Sequence, residues 1–242
     1  MRVKKLVAHR GDNTHYPENS LAGIESALIA GAVNIELDIQ MNIDGSLIVI
    51  HDDNYRRTSE SSLSIFEVNN EKIKEISVHE PDRFNNEHNP TPVPFLGDVL
   101  KLIKHYPQAT LFIELKQESI SKWGLNKVMN SLLAVVTDYQ KQCVIISFNS
   151  RALEFTQKYS VLRTGLVFKK AYSKKYKQIA QTLRPDFLIC PYTIIPKERL
   201  WEGPWEWMVY VVNDLEESKP FFEREDIDYI ETDNIQLFLE EK

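Results

Sequence analysis

Cysteine is scarce in this chain of 242 residues: there are two, Cys143 and Cys190, each inside an apolar run, "CVIISF" and "FLICP". Both read as buried small hydrophobes, and a disulfide framework is excluded as the basis of the fold. Long apolar stretches are missing too. Nothing approaches the roughly 18 consecutive apolar residues of a bilayer span, and the opening "MRVKKLVAHRG" has a basic start without an apolar centre of signal length. A soluble cytoplasmic protein without a membrane span is the expectation. There is no basic excess: 29 Lys and Arg stand against 35 Asp and Glu, a net charge of -6, which argues against a nucleic-acid partner. No long like-charge block, internal repeat or low-complexity tract occurs. No G-x-G-x-x-G turn follows the first apolar run, so a dinucleotide fold loses support. That run ends in a single His rather than H-x-H, which disfavours a zinc hydrolase of that barrel type.

What is present is alternation. Short apolar runs at 6–10, 34–40, 111–116, 143–148, 164–168, 187–191, 208–213 and 229–233 are separated by helical stretches. Runs rich in Val, Ile, Leu and Phe suit parallel strands covered on both faces. The stretch 17–32 carries Leu21, Ile24 and Leu28 at helical spacing, with Asn19 or Ser20 as cap and Gly31 as stop. The stretch 121–140 puts Leu125, Val128, Leu132 and Val135 on one stripe, and Asn213 or Asp214 caps a late helix. Eight strand–helix repeats in one domain spanning 1–242 predict an α/β fold, a (β/α)8 TIM barrel, with an open doubly wound sheet as the rival. One run does not fit the count: "SLIVIHD", 46–52, follows the second strand too closely for a parallel crossover. A tight turn at Asp44-Gly45 predicts a β-hairpin that pairs 38 with 51. The polar, proline-punctuated segment 53–95 reads as a short insertion or lid over one end of the barrel.

The chemistry gathers at strand ends. Glu36 and Asp38 are two apart in the second strand, as are Glu114 and Lys116 in the third, and period two puts each pair on one face. His9 ends the first strand. These are the C-terminal ends where barrel active sites are built. Three carboxylates in one mouth need compensation, because a buried unpaired charge costs several kcal/mol. Arg10 and Lys116 supply part, and a hard divalent cation, Mg²⁺ or Ca²⁺, supplies the rest. His9 and His51 then form an acid–base pair about a phosphate, and Arg10 offers a donor fork to its oxygens. Asp52 either orients an imidazole or holds its loop. Simpler readings stand beside these: a structural His9, and an ordinary Glu114–Lys116 ion pair. Phe148 either lines the pocket or fills it. The tryptophan-rich "WEGPWEWM" containing Trp207 walls the substrate mouth, packs between the late helix and the seventh strand, or makes a subunit contact.

The ordered pieces "HRG" five residues before "PENS", then "ELD", "DGSLIVIHDDNYRRT", "VPFLGDVL", "IELK", "ISF", "VYVVND" and "IETDN" run from residue 9 to 234. In these the chain resembles the glycerophosphodiester phosphodiesterases of the compact bacterial type. The resemblance implies a TIM barrel that hydrolyses small-molecule glycerophosphodiesters to glycerol 3-phosphate and an alcohol with one divalent metal; Mg²⁺ is expected first and Ca²⁺ second from the oxygen donors. Carried over, Glu36, Asp38 and Glu114 are metal ligands, His9 and His51 the catalytic acid–base pair, and Arg10 and Lys116 the phosphate grip. Ser20 departs from the Thr usual after "PEN". Action on lysophospholipids or polyglycerol phosphate, and a non-catalytic phosphate-binding barrel, are the alternatives.

Overall fold

The computed structural model describes residues 5–169 and 173–240. Its strands are β1 (Leu6–His9), β2 (Asn34–Met41), β3 (Leu47–Val49), β4 (Thr110–Leu115), β5 (Cys143–Ser147), β6 (Arg163–Val167), β7 (Phe187–Pro191), β8 (Glu206–Tyr210) and β9 (Tyr229–Thr232). All but β3 pair in parallel with their neighbours, and β1 meets both β2 and β9, so eight strands close into a barrel. Alternation divides each strand. Leu37, Ile113, Ile145 and Leu188 face outward into the main core beneath the helices. Val7, Phe112, Val144, Phe187, Ile189 and Met208 face inward and plug the barrel, as layered side chains do in this architecture.

The helices are α1 (Leu21–Ile29), α2 (Asn70–Ile73), α3 (Pro81–Phe84), α4 (Leu96–Ile103), α5 (Gln117–Trp123), α6 (Leu125–Val136), α7 (Ser150–Tyr159), α8 (Lys174–Leu183), α9 (Leu215–Glu223) and α10 (Ile235–Glu240). Ser20 caps α1 by accepting from the Gly23 N–H, and Asp214 caps α9 by accepting from the Glu217 N–H. The expected stripe of Leu125, Val128, Leu132 and Val135 lies on α6 and packs against the main core, while Gly124, left-handed at φ 83°, separates α6 from α5 so that 121–140 is not one helix. Among the described residues no helix is long and apolar enough to cross a membrane. Both cysteines are free, and burial pushes their thiols up to about 12.

The hairpin forms, but one residue out of the expected register. β2 pairs antiparallel with β3 through Ile39–Val49, Gln40–Ile48 and Met41–Leu47. The loop holds three residues rather than two. Asn42 exchanges both backbone bonds with its surroundings, donating to Ser46 O at 3.0 Å and accepting from Gly45 N–H at 3.1 Å, while Gly45 takes φ 80°. The Asn42 side chain also accepts from the Ser46 N–H at 2.9 Å. A left-handed third residue is the usual solution for three-residue hairpins. Asp38 therefore stands opposite Ile50, whose N–H donates to the Asp38 carbonyl at 3.0 Å, and His51 lies one residue further on.

Segment 53–95 is more than a polar excursion. Ile50, Tyr55, Ile65, Val68, Ile73 and Val78 belong to a buried cluster separate from the barrel core. It is tied to the turn after β1: Arg83 donates to Asn13 Oδ1 at 2.8 Å, and Glu80 accepts from the Glu18 N–H at 2.7 Å.

Candidate active site

Strand register assembles the site. His9 is level with Glu36, and Asp38 is level with Glu114. Period two then sets Glu36 and Asp38 on successive inward levels of β2, 3% and 1% exposed. Glu36, Asp38 and Glu114 each offer an oxygen, all within 4.8 Å of one another. An all-oxygen donor set of three carboxylates is the chemistry that suits a hard divalent cation. Three anions this close also need positive charge, and the chain supplies two permanent cations. Lys116 Nζ lies 3.1 Å from Asp38 and 2.7 Å from Glu114, and Arg10 Nε lies 3.0 Å from Asp38.

The turn after β1 carries Arg10 into the site in a strained conformation. Arg10 adopts φ 57° and Gly11 φ 86°, the left-handed region that a bulky side chain seldom enters. That twist brings the Arg10 N–H to Glu36 at 3.2 Å and its guanidinium to Asp38 and, at 3.0 Å, Glu18. Asn19, also left-handed at φ 59°, donates from its side chain to Asp38 Oδ2 and accepts from the Asp38 N–H, each at 3.1 Å. Glu18 in turn receives both terminal nitrogens of Arg57, at 2.6 and 2.7 Å, while Arg57 Nε donates to Asp52 at 2.8 Å. Asp52 accepts from His51 Nδ1 at 2.6 Å, so it both orients that imidazole and holds its loop.

Acidities follow the charges. Burial drives the Glu36 carboxyl well above its ordinary range, and Asp38, Glu231 and Glu114 push it further. Glu114 is raised by burial and by Asp38, against Lys116. Asp38 suffers the same burial, yet Arg10 and Lys116 hold it below the carboxylate range. Burial disfavours the His9 imidazolium, but Glu231 and Asp233 outweigh it and the net shift is upward.

Each residue expected at the site has a definite place. His9, Arg10, Glu36, Asp38, Glu114 and Lys116 converge. His51 adjoins them: its charge is felt by both Asp38 and Glu114. Phe148 lines a cleft of about 340 Å³ together with Glu114, Lys116, Lys169 and Tyr176. Trp207 does not. It is 3% exposed in the outer core, with Phe168 and Trp201 around it, and its indole N–H donates to Trp201 O at 3.1 Å. On β8 the inward position belongs to its neighbour Met208, so parity alone sends Trp207 to the helix side, and the packing reading of the tryptophan-rich segment is the correct one.

Two acidic residues of the site were given no role from sequence, Glu231 and Asp233. His9 Nδ1 lies 2.7 Å from Asp233, which also accepts from Asn13 and Asn213 at 2.8 and 2.7 Å. Glu231 is 4% exposed and shares a second convergence with His9 and Glu36. The signal was available: Glu231 and Asp233 repeat the two-residue spacing that singled out Glu36 and Asp38. Glu18, Asn19 and Arg57 carried no such signal, because loops brought together across the fold have no period.

An acidic cluster and two histidines bonded to carboxylates thus gather at the C-terminal end of a (β/α)8 barrel, the end where enzymes of this architecture build their sites. The family model described as the glycerophosphoryl diester phosphodiesterase family matches residues 9–196, and the chain belongs to that family, as an enzyme. A glycerophosphodiester phosphodiesterase of Caldanaerobacter subterraneus subsp. tengcongensis is 29% identical over 201 residues, covering 79% of this chain and 78% of its own. Another, from Bacillus altitudinis, is 37% identical over 114 residues, 47% of this chain and 46% of its own. Among solved structures, an Oleispira antarctica phosphodiesterase in complex with the product sn-glycerol-3-phosphate superposes with a TM-score of 0.84 at 19% identity, covering 98% of this chain and 95% of that one. A glycerophosphodiester phosphodiesterase from Agrobacterium tumefaciens gives 0.78 at 24% identity, covering 98% and 99%.

Proposed function

We propose that the protein hydrolyses glycerophosphodiesters to sn-glycerol 3-phosphate and an alcohol, with Glu36, Asp38 and Glu114 holding one divalent cation, Mg²⁺, and His9 and His51 moving protons. The observation that carries this is the registration of Asp38 with Glu114, one level above Glu36, with His9 level with Glu36 on the neighbouring strand. A cation bound there would draw charge from the phosphate oxygens and make phosphorus easier to attack.

The chain's own residues account for the rest. Arg10 has five N–H donors, of which Nε and Nη1 face Asp38 and Glu18, leaving others for a phosphate oxygen. Lys116 sits between two carboxylates and keeps its charge, raised by Asp38 and Glu114 against burial. One imidazole accepts the proton of the attacking oxygen, and the other returns one to the leaving oxygen. Each is fixed by a carboxylate at Nδ1, so each presents Nε2 to the reacting groups. The aromatic face of Phe148, with Lys169 4.6 Å from its centroid, borders the cleft that would take the departing alcohol.

The test is direct. Purified protein with Mg²⁺ is incubated with glycerophosphocholine and glycerophosphoethanolamine, and sn-glycerol 3-phosphate is measured by an enzyme-coupled assay. Release that stops on adding EDTA is expected. No release from either substrate would favour a phosphate-binding barrel without catalysis.

A further inference from the structure

His9, Glu36 and Glu231 form a second convergence of metal-ligating atoms, distinct from the three-carboxylate set and joined to it through Glu36. Asp233, ionised, only accepts, so the hydrogen on Nδ1 of a neutral His9 goes to it. The lone pair then sits on Nε2, which faces Glu36 Oε2 at 3.9 Å. The Glu231 carboxylate, 4% exposed, completes the group. Among the described residues it accepts no hydrogen bond, and no Lys, Arg or His nitrogen lies within the 4.0 Å of an ion pair. One imidazole nitrogen and two carboxyl groups thus converge within 4.8 Å, and Glu36 Oε2 also accepts from the Arg10 N–H at 3.2 Å.

We infer that His9, Glu36 and Glu231 form a second cation site, selective for a borderline transition-metal ion such as Zn²⁺ over Mg²⁺. One imidazole and two carboxylates, with a remaining position open to water, is a donor set that Zn²⁺ accepts and that Mg²⁺, which prefers oxygen and keeps its waters, does not. Donor atoms within 4.8 Å of one another need only a small side-chain closure to meet an ion with bonds of about 2 Å. The sharing of Glu36 lets the two cations sit side by side, as in bridged two-metal centres. Occupancy takes the Nε2 lone pair of His9, so Zn²⁺ stops turnover in the presence of Mg²⁺; this consequence alone rests on the phosphodiesterase reading, whereas the binding does not.

The test is Zn²⁺ affinity by competition with a chromophoric chelator, in excess Mg²⁺, with Co²⁺ visible absorption as a second readout of nitrogen and oxygen ligation. Wild type is expected to hold one Zn²⁺ that Mg²⁺ does not displace. Glu231→Gln and His9→Gln, each confirmed folded by its unfolding midpoint, should weaken Zn²⁺ at least tenfold and alter the Co²⁺ spectrum, while Glu114→Gln leaves Zn²⁺ affinity within about threefold. Unchanged Zn²⁺ binding in Glu231→Gln, displacement by Mg²⁺ one for one, or equal weakening in Glu114→Gln would overturn the site. Hydrolysis assayed separately tells the two readings apart: a chain that hydrolyses with Mg²⁺ but fails the Zn²⁺ test loses only this inference, and one that binds Zn²⁺ but hydrolyses nothing loses only the other.

Discussion

Asp233 holds the Nδ1 of His9 at 2.7 Å from across the β1–β9 seam, joining the first strand's last residue to the position just past the last strand. Asp233 itself lies at about 2: burial would raise it, but the bond from His9, the charge of His9 and the side chains of Asn213 and Asn13 pull it down. It is therefore ionised wherever the enzyme works; it sets the tautomer of His9 and adds to the upward shift that Glu231 leads. Asp233→Asn keeps the shape and removes the charge. It should lower kcat about 10- to 100-fold and move the His9-dependent limb of the kcat/KM profile to lower pH. A profile with both limbs unmoved would show that Asp233 is only structural.

His9→Ala and His51→Ala should each cut kcat by roughly 10² to 10⁴, the span of general acid–base catalysis. Both imidazoles stand at strand ends rather than in the core, with side chains 16% and 32% exposed, so unfolding midpoints should barely change. Near-normal turnover in either variant, measured as sn-glycerol 3-phosphate release, would remove that residue from the mechanism.

Glu231 gives a stability signature in the metal-free protein. Burial lifts its carboxyl to about 7, against the charge of His9 and with the help of Glu114 and Asp233. The folded value lies above the unfolded one near 4.5, so the contribution is fully favourable below about pH 4.5 and is lost as pH rises through about 7. The loss is at most about 3 kcal/mol, from 1.36 kcal/mol per pKa unit, and less where neighbouring carboxylates share the titration. With EDTA present, urea denaturation of wild type between pH 4.5 and 8.5 should show a larger decline than that of Glu231→Gln. Parallel declines would refute the assignment.

Much of the barrel could be read from periodicity, because strands buried on both faces must be apolar runs and inward carboxylates must recur every second residue. Glu36, Asp38 and Glu114 stood out for that reason. Trp207 shows the limit: an aromatic-rich segment has no parity of its own until the strand start is known, and β8 begins at Glu206 rather than at 208. The hairpin shows another. Whether its loop held two residues or three hung on the Asn42 side chain replacing a turn bond, and composition does not weigh that. Arg57, Glu18 and Asn19 meet the site through tertiary contacts of loops, where chain spacing carries no geometric information.

Gly11 is where the local backbone and the site's geometry are coupled most tightly. It follows Arg10 in the left-handed region at φ 86°, and a Cβ there would lie 2.8 Å from Gly23 C and Ile24 N, both backbone atoms at the start of α1. Neither can yield as a side chain would. Gly11→Ala thus combines an unfavourable φ with overpacking against a helix, and about 2 to 3 kcal/mol of destabilisation is expected. Relief of the clash would shift the turn that carries Arg10, whose N–H reaches Glu36 and whose Nε reaches Asp38, so activity should fall by more than the folded fraction does. Chemical denaturation together with kcat/KM on the folded fraction measures both terms, and an alanine variant of normal stability would show that α1 gives way more easily than its backbone contacts imply.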